Sequence, residues 1–327
     1  MKKLAFFALL AIVVIPLVAL SAPQDTLRKA IVHIATMQDE NGAWSRLKGE
    51  FPSEAEPTSW AVKVLAMNGI APEKVDKGVA FLLNDQKPDG SWNSNTANVA
   101  FVILALKQAN KGDEAIKKGI EYLRNVQDTD GGFKRIGKEG APLTIYTAVV
   151  LVALKEAGIP RNDPVVRMAI DWLMGCQNAD GGYGMPKGTP SMALSTAWTV
   201  KALSAYGVAP STPFVQDAVE WLLKTQKPTG GFSVVPPAPE DPEATAYAII
   251  ALSKSPDKKA VVDKAVDYLS KAQQADGAFI SASPIQFNKV AKKNTQTTCF
   301  VAWALSDVMG KDASGAPATP SDLRIGK

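Results

Sequence analysis

The sequence predicts an all-α protein, an (α/α)6 toroid built from six helix-pair repeats. Three observations lead to that class. A phrase of Gln, three residues, Gly, one residue and an aromatic occurs six times, beginning at Gln38, Gln86, Gln127, Gln177, Gln226 and Gln273. Its recurrence every 41 to 50 residues is the period of a repeat architecture. The segments between these phrases carry apolar residues at helical spacing, and none shows a sustained strand alternation. Six equivalent pairs without obvious capping repeats favour closure into a ring; an open superhelix is the alternative.

The N-terminus is read first. Met1-Lys2-Lys3 precedes an apolar run from Leu4 to Leu20, and Ala19-Leu20-Ser21-Ala22-Pro23 supplies small residues at a cleavage site. Residues 1–21 are therefore expected to be a signal peptide cut after Ser21, making the protein secreted or periplasmic. The alternative is an uncleaved anchor, although Pro16 interrupts a run that is barely long enough to span. That segment would be the only route to a membrane. No Cys follows it, so a lipoprotein anchor is not supported. Residues 22–309 form the toroid, and 310–327, rich in Ala, Pro, Ser and Asp, are expected to be a disordered tail.

Each repeat then reads as helix, Gly turn, loop, helix. In the fourth, Met168, Ile170, Trp172, Leu173 and Cys176 form one helical stripe, with Pro164 in a first turn that needs no N–H. Asp180-Gly181-Gly182 stops it, and a second helix starts near Ser195 and runs to Gly207. The motif glycines are Gly42, Gly90, Gly131, Gly181, Gly230 and Gly277, and the aromatics Trp44, Trp92, Phe133, Tyr183, Phe232 and Phe279.

The second helices share a register. Thr58, Val99, Thr147, Thr196, Thr245 and Thr298 occupy one slot, and Leu65, Leu106, Leu154, Leu203, Leu252 and Leu305 the slot seven later. Five repeats place an aromatic two after the Thr slot: Trp60, Phe101, Trp198, Tyr247 and Phe300. The third has Val149, with Tyr146 nearby. These rings either line a cavity, binding an apolar chain or stabilising a cation, or pack between helix layers. Repeats one and five carry paired acids before the Thr slot, Glu54 with Glu56 and Asp241 with Glu243; repeat six offers Asn294 and Gln296 there. These six residues would meet in one sector of the toroid mouth. Alternatively, the acids answer the helix dipole alone, at about 0.3–1 kcal/mol each.

The Gln-x-x-x-Gly-x-aromatic phrase resembles the QW motif of squalene and oxidosqualene cyclases. It is also similar to the repeats of protein prenyltransferase β subunits. The likeness runs through all six repeats, and implies a terpenoid cyclase/prenyltransferase-like barrel whose Gln and aromatic residues tie helices together. The residues then test the chemistries that the resemblance offers. Zinc-dependent prenyl transfer needs Asp, Cys and His ligands with an open position. The only His, His33, sits five before Gln38, a slot holding Phe81, Tyr122, Trp172, Trp221 and Tyr268 elsewhere. It is thus a packing residue, and no metal is expected. A complement-type thioester needs a Gln three after a Cys, whereas Cys176 and Cys299 are each followed there by Ala.

Cyclisation in the resembling family uses a carboxylic acid in an Asp-x-Asp-Asp-Thr-Ala motif. Asp241-Pro242-Glu243-Ala244-Thr245-Ala246 has that spacing, with two departures: Glu243 replaces Asp in the donor's place, and Ala244 replaces the motif's last Asp. Losing that neighbour weakens a proton-sharing site. The Asp-Gly turns lack a closing bidentate Glu, so they are not calcium loops. No phosphate-cradling Gly loop appears, and no cofactor is expected.

The chain carries 36 Lys and Arg against 32 Asp and Glu, a formal net charge of +4 with no basic stripe, which argues against nucleic acid. Its two cysteines fall at different stages of different repeats and are not expected to pair. The sequence thus points to binding of an extended apolar or isoprenoid-like ligand without the zinc or Asp-rich chemistry. The alternatives are a degenerate terpene cyclase with Glu243 as acid, and a protein-interaction scaffold using the loops Ser45–Pro57 and Ile280–Thr297. More remote is a polysaccharide lyase using Lys134 and Arg135. An aromatic-walled hole would favour a ligand; a filled centre would favour the scaffold.

Overall fold

In the computed structural model, which describes residues 22–281 and 292–309, twelve α-helices follow one another along the chain. The expected signal segment, the tail and the middle of the Ile280–Thr297 loop lie outside the described residues. The even helices are α2 (Ala55–Met67), α4 (Thr96–Ala109), α6 (Thr144–Glu156), α8 (Ala193–Ala205), α10 (Pro242–Leu252) and α12 (Thr295–Met309). Each packs on the next even helix, and α12 returns to pack on α2, so the inner ring is closed. The odd helices form the outer layer: α1 (Ala22–Thr36), α3 (Pro72–Asp85), α5 (Asp113–Val126), α7 (Pro164–Met174), α9 (Pro213–Lys224) and α11 (Lys259–Ala272). The expected toroid is therefore the observed one. Among the described residues the only strands are the two-residue pair Ile280–Ser281 and Lys292–Lys293.

The layers follow from composition. Outer helices are amphipathic, α5 for example burying Ile116, Ile120 and Leu123 on one face. Inner helices are apolar all round, because neighbours surround them. Ala105, Ala153, Ala202 and Ala304 are fully buried along them, small enough for close helix approach.

The repeated phrase is the stitching between repeats. Each Gln amide donates to the carbonyl of its own motif Gly and to a carbonyl in the first turn of the next outer helix. Gln86 reaches Gly90 at 3.1 Å and Ala115 at 2.9 Å, and Gln127 reaches Gly131 at 3.0 Å and Val165 at 2.9 Å. The last one, Gln273, reaches back to Thr26 of α1 at 2.8 Å, so the sixth stitch closes the ring on the first helix. The motif Gly is required twice over at Gly230. Its φ is +96°, and a Cβ there would lie 2.2 Å from the carbonyl oxygen of Lys264 on the next outer helix.

The Thr slot has a backbone job. Its hydroxyl accepts from the amide of the motif aromatic: Phe133 to Thr147 at 2.9 Å, Tyr183 to Thr196 at 3.0 Å and Phe232 to Thr245 at 2.8 Å. In the five repeats with a Thr in the slot, this bond holds the N-terminus of the inner helix beside its motif loop. His33 does sit in its packing slot, its Nδ1 3.0 Å from the carbonyl oxygen of Asp276 in the sixth turn. Trp172 and Trp221 cover the preceding turns in the same way, donating to Asp130 and Asp180.

Candidate functional site

Inner helices that all run one way give the ring two unlike mouths, one at their N-termini and one at their C-termini. The N-terminal mouth brings repeats five, six and one together. Glu243, in the first turn of α10, is 2% exposed, and three side chains donate to its carboxylate. Oε1 accepts from the Tyr247 hydroxyl at 2.5 Å and the Gln296 amide at 2.9 Å, and Oε2 from the Thr297 hydroxyl at 2.6 Å. Gln296 then accepts from Arg46 at 3.2 Å through its own oxygen. Arg46 forms a close ion pair with Glu56, lies 3.7 Å from Glu54, and stacks 5.4 Å from the centre of the Trp60 ring. One chain of contacts thus links Glu54 and Glu56 to Glu243 through Arg46 and Gln296. The electrostatics follow from burial. Desolvation pushes the Glu56 carboxyl up and Arg46 opposes it. Burial and the neighbouring Glu243 hold Tyr247 well above the ordinary tyrosine range, so it stays a neutral donor.

Two of the six mouth residues cap helices. Asp241 caps α10 by accepting from the amides of Glu243 at 2.8 Å and Ala244 at 3.1 Å, and its second oxygen accepts from the Ser281 hydroxyl at 2.9 Å. Asn294 accepts from the amide of Thr297 at 2.7 Å, just ahead of α12. Of the predicted set, Glu56, Glu243 and Gln296 turn inward, and Glu54 stands at the rim with its side chain 39% exposed.

Below this layer the axis is filled. Trp60, Phe101, Trp198, Tyr247 and Phe300 meet one another across the ring rather than packing between helix layers. Ring centres lie 5.7 Å apart for Trp60 and Phe300, 5.8 Å for Phe101 and Trp198, and 5.0 Å for Tyr247 and Phe300. Most of these pairs are edge-to-face, the arrangement that aromatic quadrupoles favour. A sixth ring, Trp303, one turn further along α12, joins at 5.6 Å from Trp198.

Sequence reasoning missed Arg46, Thr297, Ser281 and Trp303. A signal for two of them was present: Arg46 and Ser281 each stand two residues after a motif aromatic, as does Arg135. Arg135 is exposed at the rim, and its charge bears on Glu56 and Tyr146. Lys134 is taken up by Asp128 at 3.0 Å. Cys176 and Cys299 are free, buried thiols, and burial pushes Cys176 up to about 12, so neither presents a ready thiolate. Among the described residues no three His, Cys, Asp or Glu side chains converge to hold a metal ion, and no helix is long and apolar enough to cross a membrane. The loops named for a scaffold surface touch each other: Thr295 bonds to carbonyls of Ser45 and Arg46, and Lys292 pairs with Glu50 at 2.6 Å.

Comparison with known proteins gives this geometry a context. The family profile described as squalene-hopene cyclase C-terminal domain matches residues 7–101 and 96–233. A squalene–hopene cyclase from Bradyrhizobium diazoefficiens is 34% identical over 136 residues, 41% of this chain but only 14% of that protein. Among solved structures, the ligand-free type II terpene cyclase MstE from Scytonema superposes with a TM-score of 0.72 at 17% identity, covering 89% of this chain and 99% of that one. A variant of the same cyclase, in complex with geranylgeranyl dihydroxybenzoate as substrate, gives 0.71 at 18% identity, covering 88% and 97%. A glycosidase gives 0.63 at 12% identity, covering 88% and 97%. At such identities the structural likeness is one of fold.

Proposed function

The chain belongs to the squalene-hopene cyclase C-terminal domain family, and from that premise we propose that it binds an extended apolar or isoprenoid-like ligand at the N-terminal mouth of the ring, without the zinc or Asp-rich chemistry described above. One observation carries this reading. A buried carboxylate furnished with hydroxyl and amide donors is joined to the aromatic cluster: Glu243 accepts from the Tyr247 hydroxyl, and the Tyr247 ring lies 5.0 Å from that of Phe300. Such a site receives a hydroxyl or carbonyl at its polar layer and an apolar chain on its rings. The rings touch, so a chain enters by parting them, and entry is visible in the emission of Trp60, Trp198 and Trp303. Titration with geranylgeraniol is expected to shift that emission, and organic extracts of the native protein to contain a lipid seen by mass spectrometry. An unchanged emission up to the solubility limit, with repeatedly empty extracts, overturns the reading. The protein-interaction scaffold, which the filled centre favours, would then stand.

A second reading, cyclisation with Glu243 as general acid, draws on the position of this carboxyl in the Asp241–Ala246 hexapeptide. The hydroxyls of Tyr247 and Thr297 can each turn to accept from a protonated Glu243. Against it, three donors favour the carboxylate over the acid, and Ala244 leaves no second carboxyl to share the proton. Incubation with squalene separates the two: a cyclised product lost in Glu243→Gln supports catalysis, and bound but unchanged squalene supports binding alone. Export through residues 1–21 belongs to the same proposal. Sequencing the mature N-terminus should begin at Ala22; a chain starting at Met1 would mean the uncleaved anchor.

A further inference from the structure

The C-terminal mouth of the ring holds a second cluster. Lys63 of α2 is 7% exposed, and among the described residues no acid or carbonyl lies within bonding distance of its ammonium. Its Nζ lies 4.4 Å from the centre of the Trp303 ring. Lys201 comes from α8, on the opposite side of the ring, and its Nζ lies 5.6 Å from the same ring. Lys201 is held by Asp307 of α12 at 3.6 Å, and these two side chains are 20% and 11% exposed, so the cluster is open on that side. Glu156 of α6, exposed at the rim, is the remaining charge that acts on Lys63.

The bland account is that lysines suit helix C-termini through the dipole. That account covers a solvated ammonium in a last turn. It does not cover a lysine that is 7% exposed, has no bonded anion among the described residues and shares an indole ring with a second cation, an arrangement in which desolvation favours giving up the charge. Burial brings Lys63 down to about 8 against the attraction of Glu156, with the repulsion of Lys201 adding to it, so a far larger share of it is free amine near neutrality than for an exposed lysine. A desolvated lysine beside another cation is the usual way in which an amine becomes a nucleophile at neutral pH.

We propose that Lys63 is a carbonyl-capturing residue that condenses with an aldehyde at the C-terminal mouth. The Nζ lone pair attacks the carbonyl carbon, and the oxygen takes up a proton. Loss of that oxygen as water, with the amine protons leaving through Asp307, forms the C=N bond of an imine; nothing is oxidised or reduced. When protonated, that imine is a cation lying on the face of Trp303, whose quadrupole attracts it. The ring cluster that Trp303 joins is the apolar surface that an alkyl chain on the aldehyde would meet.

The test treats the full chain with citral or with propanal and cyanoborohydride at pH 7.5, followed by peptide mass spectrometry. Lys63 should be tagged roughly a hundredfold faster than the exposed lysines, the ratio of their free-amine fractions. Lys63→Arg should abolish that fast tag while leaving folding and the slow surface tags intact. Lys201→Met removes the neighbouring cation and should slow tagging at pH 7.5 but not at pH 11, a pH dependence that a packing role would not produce. Capture of propanal but not citral keeps the imine chemistry and counts against the apolar-ligand reading. Surface lysines tagged while Lys63 stays unmodified by both aldehydes overturns the proposal.

Discussion

The two mouths of the ring each hold a buried ionisable side chain, an acid at one and a lysine at the other, and treat it differently. At the N-terminal mouth the buried charges are answered: Glu243 accepts from three side chains, and Arg46 has two carboxylates, an amide oxygen and an indole face. At the C-terminal mouth Lys63 has only the face of Trp303, and Lys201 has Asp307 at a loose 3.6 Å. Helix dipoles explain the signs, since carboxylates favour N-termini and cations C-termini. They do not explain the partnering. A satisfied charge specifies structure, whereas an unsatisfied one is either a cost or a tool. The strip Gln296, Phe300, Trp303 and Asp307 on α12 carries the comparison along the axis, each residue touching a different element of the ring.

Breaking the wall between the mouths has the largest expected effect. Phe300→Ala removes the ring that meets Trp60, Phe101, Trp198, Tyr247 and Trp303, and should cost about 3–5 kcal/mol in denaturant unfolding. Next comes the satisfied end. Glu243→Ala strands two buried donors and a half-buried one and should cost about 3 kcal/mol by the same measurement; Glu243→Gln, which keeps the shape, should cost less.

The unsatisfied end should respond with the opposite sign. Lys63 binds its proton less tightly folded than unfolded, so its cost to folding builds as pH falls from 10.5 to about 8 and is fully present below that. Lys63→Met should therefore stabilise the protein by about 1–3 kcal/mol at pH 7, the face of Trp303 already offsetting part of the charged form's cost. The gain should shrink from pH 8 towards 10.5, where the wild-type lysine is neutral in both states. A gain constant with pH would mean that packing, not charge, is responsible. The smallest effect belongs to the stitching that holds both mouths in register. Thr245→Val leaves the Phe232 amide without its acceptor and should lower stability by about 1–2 kcal/mol. Repeat two already carries Val99 in that slot, so Val99→Thr should gain a few tenths to about 1 kcal/mol if the hydroxyl reaches the Trp92 amide.

The helix-pair repeat, the turn at each motif Gly and the shared inner-helix register were readable because each depends on residues close in the chain. Glycine was needed where φ is positive, and a hydroxyl recurred in five of the six slots that face the amide of a motif aromatic. The register also placed His33 in a packing slot and drew repeats one, five and six together, and both placements hold. The register did not show that Asp241 and Asn294 would cap helices while Glu56 and Glu243 turned inward. Two residues along a helix rotate a side chain by more than half a turn, and only the packed neighbours show which direction is the axis.

By itself, then, the sequence determined a six-fold all-α repeat, because local hydrogen bonds and helical periodicity are written in adjacent residues. Tertiary structure decided the rest: that α12 closes on α2, that Gln296 joins Arg46 to Glu243, and that Lys63, Lys201 and Trp303 share one mouth. Those contacts join residues far apart in the chain, across an axis that exists only once the ring has closed.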